Sequence, residues 1–143
     1  MLRVEPEILA NYVAAGQVKL AFSHVLDHGD ASQVAHHTAE CAGAQSPLAF
    51  WQMHDLLFER QDQLWNADPA TMVQFATELG LDGTALAACL ADPAIVEKVE
   101  RINQARQALG IRARPSFTVN DQLVQGGLAY PTFVKLLDEL LTK

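Results

Sequence analysis

The chain has 143 residues, 50% of them hydrophobic and 19% charged, with a net charge of −7. That is one domain's worth of residues with enough apolar material for a core, and no apolar run reaches the ~18 residues of a membrane span. The acidic balance disfavours nucleic acid and anionic membranes as partners, and the basic residues are scattered apart from the Arg112/Arg114 pair. Charged Arg3, Glu5 and Glu7 interrupt any leader-like pattern, so no signal peptide is expected in these residues.

From Pro6 to about Gly16 the pattern predicts a short helix, with Ile8, Leu9, Tyr12 and Val13 on one side and Gly16 as its stop. Val18, Leu20 and Phe22 alternate with Lys19, Ala21 and Ser23, the period of a strand. His28-Gly29-Asp30 reads as a turn, and Ser32 as the cap of a helix running to about Gln45. Ser46-Pro47 opens the next helix, whose inward stripe is Phe50, Trp51, His54, Leu57 and Phe58. Asp68-Pro69 repeats the device and Gly80 ends that helix. A short helix carries Leu86, Cys89 and Leu90. Asp92-Pro93 opens another, with Ile95, Val99, Ile102 and Leu109 inward and Gly110 just past its end.

The texture then changes. Ser116–Val119 predicts a strand, Asn120-Asp121 a turn and Leu123–Gln125 a return strand. Tyr130-Pro131 starts a final helix with Phe133, Leu136, Leu137 and Leu140 inward. Helix, strand, four or five helices, hairpin and helix make an α/β fold with a helical insertion.

Cys41 and Cys89 are too far apart for a CxxC pair and too few for a four-cysteine zinc site. Two buried thiols or one long-range disulfide remain open. The histidines do not predict a metal site. His24 and His28 end a strand and enter a turn, adjacent His36 and His37 face different ways on a helix, and no H-E-x-x-H occurs. They read as solvated or singly hydrogen-bonded, and His54 as a satisfied histidine at the core's edge. Phe50, Trp51 and Phe58 read as core rather than as a ligand groove. Asp82-Gly83 and Gly126-Gly127 read as turns rather than a phosphate loop.

Five strings, VEPEILANYV (4–13), QVKLAFSHV (17–25), AECA (39–42), FWQMHDLLF (50–58) and GIRARPSFTVNDQLVQGG (110–127), come in this order over nearly the whole chain. Together they resemble the DsbA-like thiol:disulfide oxidoreductases of the thioredoxin superfamily. The resemblance implies a thioredoxin-like fold interrupted by a helical insertion. Residues 1–27 and 110–143 form the thioredoxin-like part of a single domain and 28–109 the insertion. Residues 17–25 become the second strand of the βαβ half, and 115–142 the ββα half.

By the same resemblance Pro115 is the family's cis-proline, and Arg114-Pro115 the loop that binds extended polypeptide substrates. Arg114 departs from the threonine or valine usual before that proline. Some relatives carry a second, structural disulfide, which implies a Cys41–Cys89 bond. The family's first strand and CxxC precede the helix at Val4, so the chain is expected to lack both and to be redox-inactive, with no catalytic residue, metal or cofactor. A sheet without its central strand implies a homodimer, and the family implies the cell envelope, periplasm or exterior. The alternatives are a non-catalytic peptide-binding module, or a relative of the kappa-type glutathione transferases, which use serine in place of cysteine.

Overall fold

The computed structural model describes residues 4–120 and 122–142. In chain order it comprises α1 (Glu5–Ile8), a π-helical segment Leu9–Val13, α2 (Gly29–Gln45), α3 (Pro47–Glu59) and a 3-10 segment Gln61–Asn66. There follow α4 (Pro69–Glu78), α5 (Gly83–Leu90), α6 (Pro93–Gln107), β1 (Ser116–Val119), β2 (Gln122–Gln125) and α7 (Tyr130–Leu141). The chain divides into two compact units, Met1–Phe22 with Ala108–Lys143, and Ser23–Gln107.

The second unit is all helical, and its starts are written in side chains. Ser46 Oγ accepts from Ala49 N, Asp68 Oδ1 from Thr71 N, Asp82 Oδ1 from Thr84 N and Ala85 N, and Asp92 Oδ1 from Ala94 N. Each such cap satisfies an amide that the helix itself cannot, a contribution of about 1 kcal/mol. Proline stands in the first turn of α3 and α4, where its missing N–H costs nothing.

The core of this unit gathers Ala42, Ala49, Met53, Met72, Phe75, Ala76 and Leu86, all at most 1% exposed. On α3 the buried positions are Ala49, Met53, His54 and Leu57, with Phe50, Trp51 and Phe58 half-buried beside them. The expected aromatic stripe is therefore rotated, because small Ala49 and flexible Met53 fit the closest approach better than three rings. A two-point bridge ties α2 to the start of α5: Gln45 Nε2 donates to Asp82 O and Asp82 N donates to Gln45 Oε1, both at 2.9 Å.

Two expectations for this unit need correcting. Helix α2 begins at Gly29 rather than after a Ser32 cap, because Gly29 takes the left-handed φ of +60° that turns the chain into it. On α6 Val99 and Asn103 are buried and the expected Ile95 and Ile102 are half-buried, whereas Leu109 is 47% exposed. The helix stops at Gln107, so Leu109 falls beyond it and leaves the helical face. The 3-10 segment Gln61–Asn66 carried no apolar periodicity to announce it.

In the first unit the hairpin pairs β1 and β2 antiparallel, with Ser116 opposite Gln125 and Val119 opposite Gln122. Asn120 takes the turn's left-handed φ of 53°, as asparagine tolerates; Asp121 lies outside the described residues. The Phe117 and Phe133 rings meet edge to face with centroids 4.7 Å apart, fixing β1 to α7. Tyr12 Oη donates to Asp138 Oδ1 and Asn11 Nδ2 to Tyr130 Oη, both at 2.8 Å, fixing the N-terminal helical stretch to α7 as well. Burial and then the Asp138 carboxylate push the Tyr12 phenol up to about 12.

The strand expected over 17–25 is absent. Residues 17–27 form no ladder, and among the described residues the sheet has two strands, β1 and β2. Val18, Leu20 and Phe22 are still half-buried while Lys19 and Ala21 are exposed, so the alternation survives without the pairing. A strand is defined by its partner, and none of the described segments supplies one here.

Candidate functional site

The loop entering β1 is built by its own backbone. The Arg114–Pro115 peptide is cis. Pro115 O accepts from Gly126 N at 2.9 Å, extending the β1–β2 pairing by one residue onto the proline. Ser116 Oγ donates to Ala113 O at 2.5 Å, and Gln125 Oε1 accepts from Arg112 N at 2.7 Å. The loop is thus held from both sides by β2 and its own chain.

Gly126 has a φ of +91°, which only glycine adopts at little cost, and a Cβ on Gly127 would touch the Pro115 ring at 3.9 Å. Arg112 and Arg114 are exposed, Pro115 is half-buried, and β1 leads directly away from it. Arg114 and Pro115 therefore lie together where a chain running alongside β1 would pass. One edge of β1 is taken by β2 and the other carries no strand among the described residues.

Cys41 and Cys89 are joined by a disulfide with Sγ atoms 2.06 Å apart and Cα atoms 5.7 Å apart. They fasten α2 to α5 inside the helical unit, with Cys41 1% exposed. No free cysteine remains.

His28, exposed and bonded to Asp27, fits the sequence reading, whereas His24 and His36 depart from it. His24 is 1% exposed, with Nδ1 2.9 Å from Nδ1 of His36 and Nε2 2.7 Å from Oε1 of Glu40. Lys98 Nζ from α6 meets the other Glu40 oxygen. Burial drives His24 below its ordinary value against the pull of Glu40, and burial with the neighbouring His24 takes His36 down to about 4. His37 falls for the same two reasons. Burial works to raise Glu40, but hydrogen bonds to His24 and Lys98 outweigh it and hold the carboxyl below its usual range.

The available signal was His36 and Glu40 at i, i+4, which share one helix face. What they would face depended on where His24 folded. His54 is 3% exposed with Nδ1 3.0 Å from Asp55 Oδ1, its ring stacked with Phe50, edge-on to Trp51 and tilted against Phe58.

A thioredoxin family model matches residues 2–139. The chain belongs to the thioredoxin family. It is similar to disulfide bond formation protein D of Bacillus subtilis, 26% identical over 140 residues, or 95% of this chain and 63% of that protein. The chain thus spans less than two thirds of that curated relative. Its fold is similar to that of oxidised BdbD from Bacillus subtilis, at a TM-score of 0.87 and 24% identity, covering 99% of this chain and 78% of the other. The fold of alpha-DsbA1 from Wolbachia pipientis is similar at a TM-score of 0.78 and 20% identity, over 97% of this chain and 76% of the other. No helix is long and apolar enough to cross a membrane among the described residues.

Proposed function

We propose that these residues are the peptide-docking loop and helical unit of a DsbA-like thiol:disulfide oxidoreductase, and that they do not catalyse exchange by themselves. The carrying observation is the loop at Arg114 and Pro115, which feeds straight into a strand with one edge that pairs with no strand among the described residues. An extended polypeptide can add to such an edge through main-chain hydrogen bonds, with the loop setting where it stops.

Exchange itself needs a thiolate that attacks a disulfide sulfur, forms a mixed disulfide and expels one thiolate, and a second thiol that resolves it. Both cysteines of this chain are consumed in their own disulfide, and no CxxC occurs in the sequence. The redox pair of a working enzyme would have to come from other residues. The Cys41–Cys89 bond supports an oxidising compartment, the cell envelope or beyond, since disulfides persist there and are reduced in the cytosol.

Insulin reduction by dithiothreitol tests the proposal. The 143 residues should match the buffer blank, and a version carrying a strand and CxxC ahead of Val4 should turn over. Activity in the unextended chain that vanishes with Cys41→Ser would overturn the inactivity. No gain from the extension would favour a non-catalytic binding module.

The same open edge motivates a proposal on assembly. Two copies pairing along β1 satisfy each other's strand edges, and two-fold closure is the commonest way to do so. Light scattering coupled to size exclusion should give twice the chain's 15.6 kDa at tens of micromolar; a clean monomer would reject the dimer.

A further inference from the structure

The buried polar cluster of the helical unit is not used by peptide docking, yet both ring nitrogens of His24 are engaged in it. An ionised carboxylate only accepts hydrogen bonds, and the contact with Lys98 keeps Glu40 ionised, so His24 Nε2 donates to Glu40. A neutral imidazole carries one N–H. Nδ1 of His24 is therefore an acceptor, and the proton in the 2.9 Å contact belongs to Nδ1 of His36.

The neutral pair thus holds two ring protons. A third, on Nε2 of His36, leaves both contacts of His24 in place. A fourth puts N–H on both facing Nδ1 atoms, two donors and no acceptor between them, at a ring that is almost wholly out of solvent.

We propose that His24 and His36 form an acid-operated latch between the segment 23–28 and α2, closed with two or three ring protons and opened by the fourth. The geometry assigns what each neighbour does. From the same segment the Val25 backbone carbonyl, which accepts from the His36 ring, and Asp27, bonded to His28, favour added protons. From α2, Glu40 favours them and His37 opposes them; from α6, Lys98 opposes them. Helix α3 presents the Phe50 ring, 6.4 Å from that of His24 and without charge.

Burial supplies the direction of the pH response. His36 is held at about 4, below its unfolded value of roughly 6.5. The opened segment therefore binds more protons than the closed one between those values. Stability of the closed form is whole above the unfolded value and is lost as pH falls through the folded one. The segment has another tie to α6, Leu26 N donating to Asn103 Oδ1 at 2.9 Å, which does not titrate.

Long-range proton–nitrogen spectra of the 143-residue chain labelled at histidine, followed with amide exchange from about pH 7 to about pH 4, test the latch. At neutral pH His36 should appear as the Nδ1–H tautomer and His24 as the Nε2–H tautomer. Between the unfolded value of roughly 6.5 and about 4 the opening constant of the Leu26 amide, corrected for intrinsic rate, should rise about tenfold per pH unit for each proton that opening takes up. His36→Gln should flatten that dependence; should the variant not fold, the wild-type spectra decide alone. Two independent titrations near the ordinary histidine value, or an opening constant that does not change with pH, would overturn the proposal.

Discussion

Replacing both Cys41 and Cys89 by serine should cost the helical unit up to about 4 kcal/mol, with most of the loss arising in the unfolded chain. The bond closes a loop of 48 residues, and a cross-link of that span removes roughly 4 kcal/mol of chain entropy from the unfolded ensemble on the loop-closure model. Serine also places a hydroxyl where Cys41 is 1% exposed among apolar side chains, which adds a desolvation cost if no acceptor is reached. Native-state relaxation works the other way, because the Gln45–Asp82 bridge still ties α2 to α5. Urea denaturation of oxidised, reduced and doubly substituted protein measures the effect. Reduced and serine forms should fall together at lower urea than the oxidised form. A loss below about 1 kcal/mol in both would show that the bond does not constrain the unfolded chain as the model requires.

Phe75→Ala should cost about 3–5 kcal/mol, the range for emptying a large aromatic from a packed core. Phe75 is 1% exposed and sits among Met53, Met72 and Ala76, at the centre of the helical unit. Its ring also carries the Arg60 guanidinium 4.9 Å from its centroid, and Arg60 Nη2 in turn meets Glu78 Oε2 at 2.6 Å. Truncation therefore removes core volume and the platform under a partly exposed ion pair. Phe75→Leu separates the two, since it restores most of the volume and none of the platform. The leucine variant should recover the larger share of the loss, because exposed ion pairs contribute at most about 1 kcal/mol. If leucine proved as damaging as alanine in the same denaturant series, the cation contact rather than packing would dominate.

How far the sequence could be read depended on the range of the interaction responsible. Helices α3 to α6 were legible because their signals are local: Ser46-Pro47, Asp68-Pro69 and Asp92-Pro93 write a cap and a first turn within a few residues. The hairpin was legible for the same reason, from alternation on either side of Asn120. The start of α2 was misplaced because glycine's left-handed turn and serine's cap compete at neighbouring positions, and only the path of the incoming chain selects one.

The segment 17–25 marks the boundary between the two kinds of information. Its alternating residues set which side chains turn inward, and that part came through: Val18, Leu20 and Phe22 are half-buried. Whether they make a strand is a property of a neighbour, which no periodicity in the segment encodes. The histidines divide in the same way. Residue spacing put His36 and Glu40 on one face of α2, but only folding brought His24 between them and carried Lys98 to the far oxygen of Glu40. By itself the sequence determined the helix starts marked by a capping side chain and a proline, and the place of the hairpin turn, because these follow from contacts a few residues apart. The tertiary structure alone decided which polar groups are buried together, since desolvation and shared protons arise only when distant segments exclude water from the same place.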